Sequence, residues 1–224
     1  MVVKSAAGFL FDMDGTLVDS SRAVRRIWSR FARRHGLDLA ALMPTVHGVR
    51  AVDTVRRLAI PGLDPEAEAA VIEREEIGDV EGVVAVPGAQ AFLAALPPER
   101  WTVVTSASRA LARARLGAAG LPLPDTSVTG EEVLAGKPAP DCFLLGAQRL
   151  GFAPADCVAF EDSAAGIQAA AAAGADLVVI ASAQSHASLD GRFVVSDYEQ
   201  LELTVTRDRL RLRARISARS ATPV

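Results

Sequence analysis

Cysteine is scarce in this chain: its 224 residues hold two, Cys142 and Cys157. Both lie in apolar stretches without metal-ligand spacing, which excludes a disulfide framework and fits buried free thiols in a reducing compartment. A surplus of one charge is lacking as well. The 24 Lys and Arg stand against 27 Asp and Glu, a net charge of -3 with a pI near 5.7, and nothing in that balance calls for nucleic acid as a partner. No run is long and apolar enough to span a bilayer, and the N-terminus lacks a basic region followed by a long apolar stretch. No membrane partner is therefore expected, and the cytoplasm is the expected location. What is abundant is apolar residue, 50% of the chain. That much, at this length, can build one core and a small inserted domain.

The apolar run Phe9-Leu10-Phe11 ends in Asp12-Met13-Asp14-Gly15-Thr16-Leu17-Val18-Asp19-Ser20. Gly8 to Phe11 is expected as a strand buried on both faces, with Asp12 to Thr16 as the loop at its end. Carboxylates at i and i+2 of a strand end point the same way and repel unless a cation lies between them or one holds a proton. Gly15 permits a tight turn that exposes N–H groups, and the Thr16 hydroxyl can fix it. One loop thus combines a hard-cation site with a phosphate site.

Downstream, Ser20 or Ser21 is expected to cap a helix running to His35, with Val24, Ile27, Trp28 and Phe31 inward and Gly36 as its stop. Its other face carries Arg22, Arg25, Arg26, Arg30, Arg33 and Arg34, expected in solvent. A break at Pro44 to Gly48, a helix over Val49 to Ala59 and a third capped by Asp64 with Pro65 in its first turn complete a helical unit. Domain boundaries are accordingly expected at 1–18 and 87–224 for the core and 19–86 for the cap, hinged at Asp19-Ser20 and Ala85 to Gly88. From Pro87 onward helices alternate with strands at Trp101 to Thr105, Ser127 to Thr129, Cys157 to Phe160 and Asp176 to Ile180. That pattern predicts an α/β fold of the doubly wound, Rossmann-like class, with ligands beyond the C-terminal strand ends. Leu203 to Thr206 and Arg209 to Arg213 are expected as a terminal hairpin, and Ser217 to Val224 as disordered.

Three further stretches end at the same edge. Val103-Val104-Thr105-Ser106-Ala107-Ser108 brings hydroxyls and N–H groups to a helix start, where anions bind. Gly136-Lys137-Pro138 holds one ammonium in a backbone stiffened by proline. Phe160-Glu161-Asp162-Ser163 ends another strand in two acids. Oxygen donors without His or Cys favour Mg²⁺ over zinc or copper.

In order and spacing these four stretches resemble the motifs of the haloacid dehalogenase superfamily, closest to its capped sugar-phosphate and glycerol phosphatases. The resemblance spans nearly the whole chain. It implies a Mg²⁺-dependent phosphatase acting on a small sugar or polyol phosphate through an aspartyl-phosphate. By that likeness Asp12 is the nucleophile, and Asp14 protonates the leaving alcohol and then activates water. Asp12, the Asp14 carbonyl and Asp162 would hold Mg²⁺, with Glu161 beside them. Thr105, Ser106, the Ala107 N–H and Lys137 would hold the phosphoryl group, and His47 and Arg50 are the candidate cap contacts to substrate. The implied partner is a small-molecule phosphate ester, and the chain is expected as a monomer or weak homo-oligomer. A phosphosugar mutase and a catalytically silent phospholigand-binding protein are the alternatives. The mutase pattern carries a His where this chain has Val24.

Overall fold

The computed structural model describes residues 3–181 and 193–215. Among these residues ten strands and eight α-helices follow one another: β1 Val3–Ala6, β2 Gly8–Phe11, β3 Val18–Asp19, α1 Ser21–His35, α2 Leu39–Leu42, α3 Ala51–Leu58, α4 Pro65–Gly78, β4 Val84–Ala85, α5 Ala89–Ala94, β5 Trp101–Val103, α6 Arg109–Ala118, α7 Asp141–Leu150, β6 Cys157–Glu161, α8 Ala164–Ala173, β7 Asp176–Ile180, β8 Phe193–Val195, β9 Leu201–Val205 and β10 Leu210–Ala214.

Strand alternation explains the core. In the parallel sheet β5-β2-β6-β7-β8, Phe9, Phe11, Val103, Val158 and Phe160 enter one apolar layer, while Leu10, Val104, Cys157 and Ala159 enter the other. Successive side chains on a strand point to opposite faces, so two layers of helices are needed to cover the sheet. On the first face Phe11 stacks on Phe160 with ring centroids 4.4 Å apart. On the second, small residues bring helices close: a Cβ on Gly146 of α7 would meet Val104 Cγ2 at 2.7 Å, and Ala169, Ala170 and Ala173 of α8 are buried.

The expected hairpin is β9 and β10, joined on its other side by β1, an antiparallel partner that the sequence pattern did not indicate. Leu210 and Leu212 point into the core while Arg211 and Arg213 face solvent. The Ser127 to Thr129 strand is reduced to one bridge, Val104 to Val128. Ser217 to Val224 lies outside the described residues.

Helices α1 to α4 enclose an apolar cluster of their own that includes Val24, Ile27, Trp28, Phe31, Val55 and Ile72. Ser20 makes no side-chain capping bond to α1; Asp19 Oδ1 accepts from Ser21 N at 3.0 Å instead. Asp64 caps α4 as expected, accepting from Glu66 N and Ala67 N. The arginine face of α1 is less solvated than expected. Arg30 and Arg34 pair with Glu75 of α4, Arg34 also with Glu68, and Arg26 with Asp79 just beyond. The helix expected from Val49 begins at Ala51, because Gly48 turns at φ +73° and Arg50 is extended. This cap joins the core through β3 and β4, which pair with each other. Among the described residues no helix is long and apolar enough to cross a membrane.

Candidate active site

Asp12 follows β2 directly, and its N–H donates to Phe160 O at 3.0 Å, so the loop after β2 is tied to the end of the neighbouring strand. β6 ends one residue before Asp162. Two adjacent strand ends therefore converge on one point: Asp12, Glu161 and Asp162, all buried, offer carboxylate oxygens within 4.8 Å of one another. Gly15 is fixed by that closeness, since its φ is +84° and a Cβ there would lie 2.0 Å from Asp162 Oδ2.

Lys137 enters from the loop before α7. Its buried ammonium donates to Asp12 Oδ1 at 2.6 Å, Glu161 Oε1 at 2.7 Å and Val104 O at 3.3 Å. Glu161 is saturated: its Oε2 accepts from Asp162 N at 2.7 Å, Ser163 N at 2.7 Å and Ser163 Oγ at 3.0 Å. Glu161 braces the site by these bonds. Thr16 Oγ1 donates to Asp162 Oδ1 at 3.4 Å.

One ammonium does not neutralise three buried acids. Burial, opposed by Lys137 and reinforced by Glu161, pushes the Asp12 carboxyl up to about 8. Burial together with Glu161 and Asp12 likewise raises Asp162. For Lys137 burial works downward, and the Asp12 and Glu161 carboxylates outweigh it and hold the ammonium above its usual range. A compact all-oxygen set short of positive charge is the environment a hard divalent cation fits.

Of the expected phosphoryl-binding groups, Thr105, Ser106 and Ala107 stand at the end of β5, lining a cavity of about 830 Å³ between core and cap. Thr105 Oγ1 accepts from Ala107 N at 3.1 Å, and Ser106 Oγ donates to Gly48 O of the cap at 2.8 Å. Lys137 reaches Asp12 from below and is not among the residues lining that space. His47 lines the cavity. Arg50 lines it too, yet its fork is committed elsewhere: Nε donates to Asp53 Oδ2 at 2.6 Å, and Nη1 and Nη2 to the carbonyls of Gly130, Val133 and Leu134 at 3.2 to 3.3 Å. Arg50, expected as a substrate contact, here also clamps cap to core.

Arg115 and Glu76 were not foreseen. Arg115 Nη1 donates to Asp14 Oδ2 at 2.7 Å and Nη2 to Glu76 Oε1 at 3.0 Å, linking the first motif to cap helix α4. The signal was present: Arg115 shares the buried face of α6 with Leu111, Ala112 and Leu116, and Glu76 lies one turn beyond buried Ile72 on α4. A charge on an apolar helix face needs a partner.

A parallel sheet covered by helices, a helical cap between the first two motifs and acids at two neighbouring strand ends define a capped phosphohydrolase-type α/β enzyme. The chain belongs to the haloacid dehalogenase-like hydrolase family, whose model matches residues 6–174. It is 44% identical over 202 residues to hexitol phosphatase A of Escherichia coli (strain K12), covering 88% of this chain and 94% of that one. To fructose-1-phosphate phosphatase YqaB of the same organism it is 36% identical, covering 77% and 95%. In fold it is similar to a β-phosphoglucomutase from Clostridium difficile, with a TM-score of 0.75 at 19% identity over 88% of this chain and 93% of the other. These relatives make it an enzyme, a phosphatase for a small phosphate ester.

Proposed function

We propose that this chain is a Mg²⁺-dependent phosphatase for a small sugar or polyol phosphate, working through an aspartyl-phosphate on Asp12. The observation that carries this is the convergence of Asp12, Lys137 and Asp162 beneath a cap-covered cavity that Asp14 also lines. The named activities of the relatives, a hexitol phosphatase and a fructose-1-phosphate phosphatase, support the substrate class.

Asp12 attacks phosphorus as its bond to the ester oxygen breaks, while Asp14 delivers a proton to that oxygen, so the leaving group departs as a neutral alcohol. Asp14, now ionised, takes a proton from water, which attacks the aspartyl-phosphate and frees Asp12 and inorganic phosphate. Lys137 holds Asp12 in place and offsets charge on the transferring group, and Ser106, Thr105 and the Ala107 N–H bind its oxygens. Asp12, Asp162 and the Asp14 carbonyl would hold Mg²⁺, with Glu161 fixing Lys137 and the Asp162 backbone; the bound ion would screen the phosphoryl oxygens from the attacking carboxylate. Residues 19–86 act as the cap that excludes bulk water during the first step.

A mutase handles a second phosphate. The arginines lining the cavity, Arg50, Arg56 and Arg115, are each already ion-paired, which favours hydrolysis. Phosphate release from hexitol, hexose, pentose and glycerol phosphates, with Mg²⁺ or with EDTA, tests this. Release should need Mg²⁺ and vanish in Asp12→Asn; isomerisation of a hexose phosphate without net release would overturn it.

A further inference from the structure

We propose that Glu73 of cap helix α4 selects neutral polyhydroxyl esters, accepting hydrogen bonds from substrate hydroxyls and repelling esters whose far end carries an acid. This rests on the phosphatase reading and names the residue that sorts its substrates.

Helix α4 turns one face to the cavity. Glu66, Ala69, Ala70, Glu73 and Glu76 line it, three to four residues apart as one side of a helix requires. Two of these acids are already committed: Glu66 pairs with Arg56, and Glu76 with buried Arg115. Glu73 is half-buried and has neither a hydrogen bond nor an ion pair. Among the described residues it is the one charged side chain lining the cavity without a partner. The two residues a turn before it carry only methyl groups, so the wall in front of it is low.

A carboxylate offers about four acceptor sites and no donor, so a ligand that donates is what completes it. Adjacent hydroxyls on a carbon chain can do so, one to each oxygen. The rest of the cavity suits the same molecule. Val24 and Trp28 of α1 and Val46 line it with apolar groups, against which the C–H side of such a chain can lie. A far end bearing a carboxylate or a second phosphate meets different conditions. Arg50, Arg56 and Arg115 each already hold a carboxylate, and Glu73 adds repulsion of its own.

The test measures kcat and KM, with Mg²⁺, for three esters of one chain length. A hexitol phosphate carries hydroxyls throughout, n-hexyl phosphate carries none, and 6-phosphogluconate ends in a carboxylate. A contact to a distant hydroxyl is made alike in the ground and transition states, so its loss falls on KM. Glu73→Gln should raise KM for the hexitol phosphate by about 10-fold and leave its kcat within about 2-fold. Hexyl phosphate should change by less than about 2-fold, and kcat/KM for 6-phosphogluconate should rise by about 3-fold. Glu73→Lys should go further and make 6-phosphogluconate the better substrate; if that variant does not fold, the glutamine variant decides alone. An unchanged KM for the hexitol phosphate, or an equal loss on hexyl phosphate, overturns the proposal. Wild-type protein that releases phosphate from none of the three esters would instead remove the phosphatase reading beneath it.

Discussion

Core and cap place charge by opposite means. In the core, Asp12 and Asp162 follow neighbouring parallel strands, so backbone pairing sets their spacing and Lys137 fills the gap at 2.6 Å from Asp12. The cap reaches the core with long side chains: Arg50 runs to three carbonyls of the 130–134 loop, and Glu76 runs to Arg115. Its apolar cluster is separate from the two that cover the sheet. The carbonyl contacts of Arg50 can be exchanged for water at small net change in free energy, whereas buried charge pairs, that of Glu76 with Arg115 included, cannot. Backbone pairing thus sets the geometry of the core, and side-chain reach sets the contact between cap and core.

The sharpest way to break this contrast is Asp12→Asn, which should abolish phosphate release while leaving the far-UV spectrum unchanged; residual turnover would move the nucleophile elsewhere. Lys137→Met leaves Asp12 and Glu161 unpaired and should lower unfolding free energy by about 3–5 kcal/mol in urea melts of the metal-free protein. Next comes Mg²⁺ itself, which at roughly 100 times its dissociation constant should stabilise the wild type by about 2.7 kcal/mol, a gain that Asp162→Asn should largely remove. Arg50→Ala, on the cap side, should cost only about 1 kcal/mol in stability but raise KM, because its partners are carbonyls that water can reach. A loss as large as that of Lys137→Met would show that the cap is held as firmly as the core.

The smallest effect tests the loop on which Arg50 docks. Glu132 bonds to Arg149 and to Thr129, and these contacts bring its carboxyl from 4.5 down to about 2. A depressed folded value contributes stability above the unfolded value, lost as pH falls from about 4.5 towards 2. With solvent screening the amount is about 1 kcal/mol, and Glu132→Gln should flatten that part of the acid limb by as much.

The division between core and cap also governs what could be read from the chain alone. Core features were legible because they are local. Apolar runs ending in Asp12 or Glu161-Asp162 mark strand ends, and parallel pairing brings such ends together. The helix start after Thr105 to Ser108 was visible for the same reason, and Ser108 caps that helix. What escaped depends on partners far along the chain. The clamp made by Arg50 escaped because its carbonyl acceptors, some 80 residues away, carry no signature. The α1 arginines looked solvated because Glu68, Glu75 and Asp79 reach them only once α4 has folded back. β1 alternates too briefly to announce that it borders β10.

The ribbon of β3 and β4 joins the halves of this contrast. Val18 faces Ala85, and Val86 N donates to Leu17 O at 2.9 Å, so the chain leaves and re-enters the core at nearly the same place. A cap mounted this way is tied to the core chain at one place. Any insert whose ends lie about 5 Å apart could be spliced onto the ribbon without moving β2 or the α5 side of the core. The cap segment thus begins and ends on one short ribbon, beside the loop that carries Asp12 and Asp14.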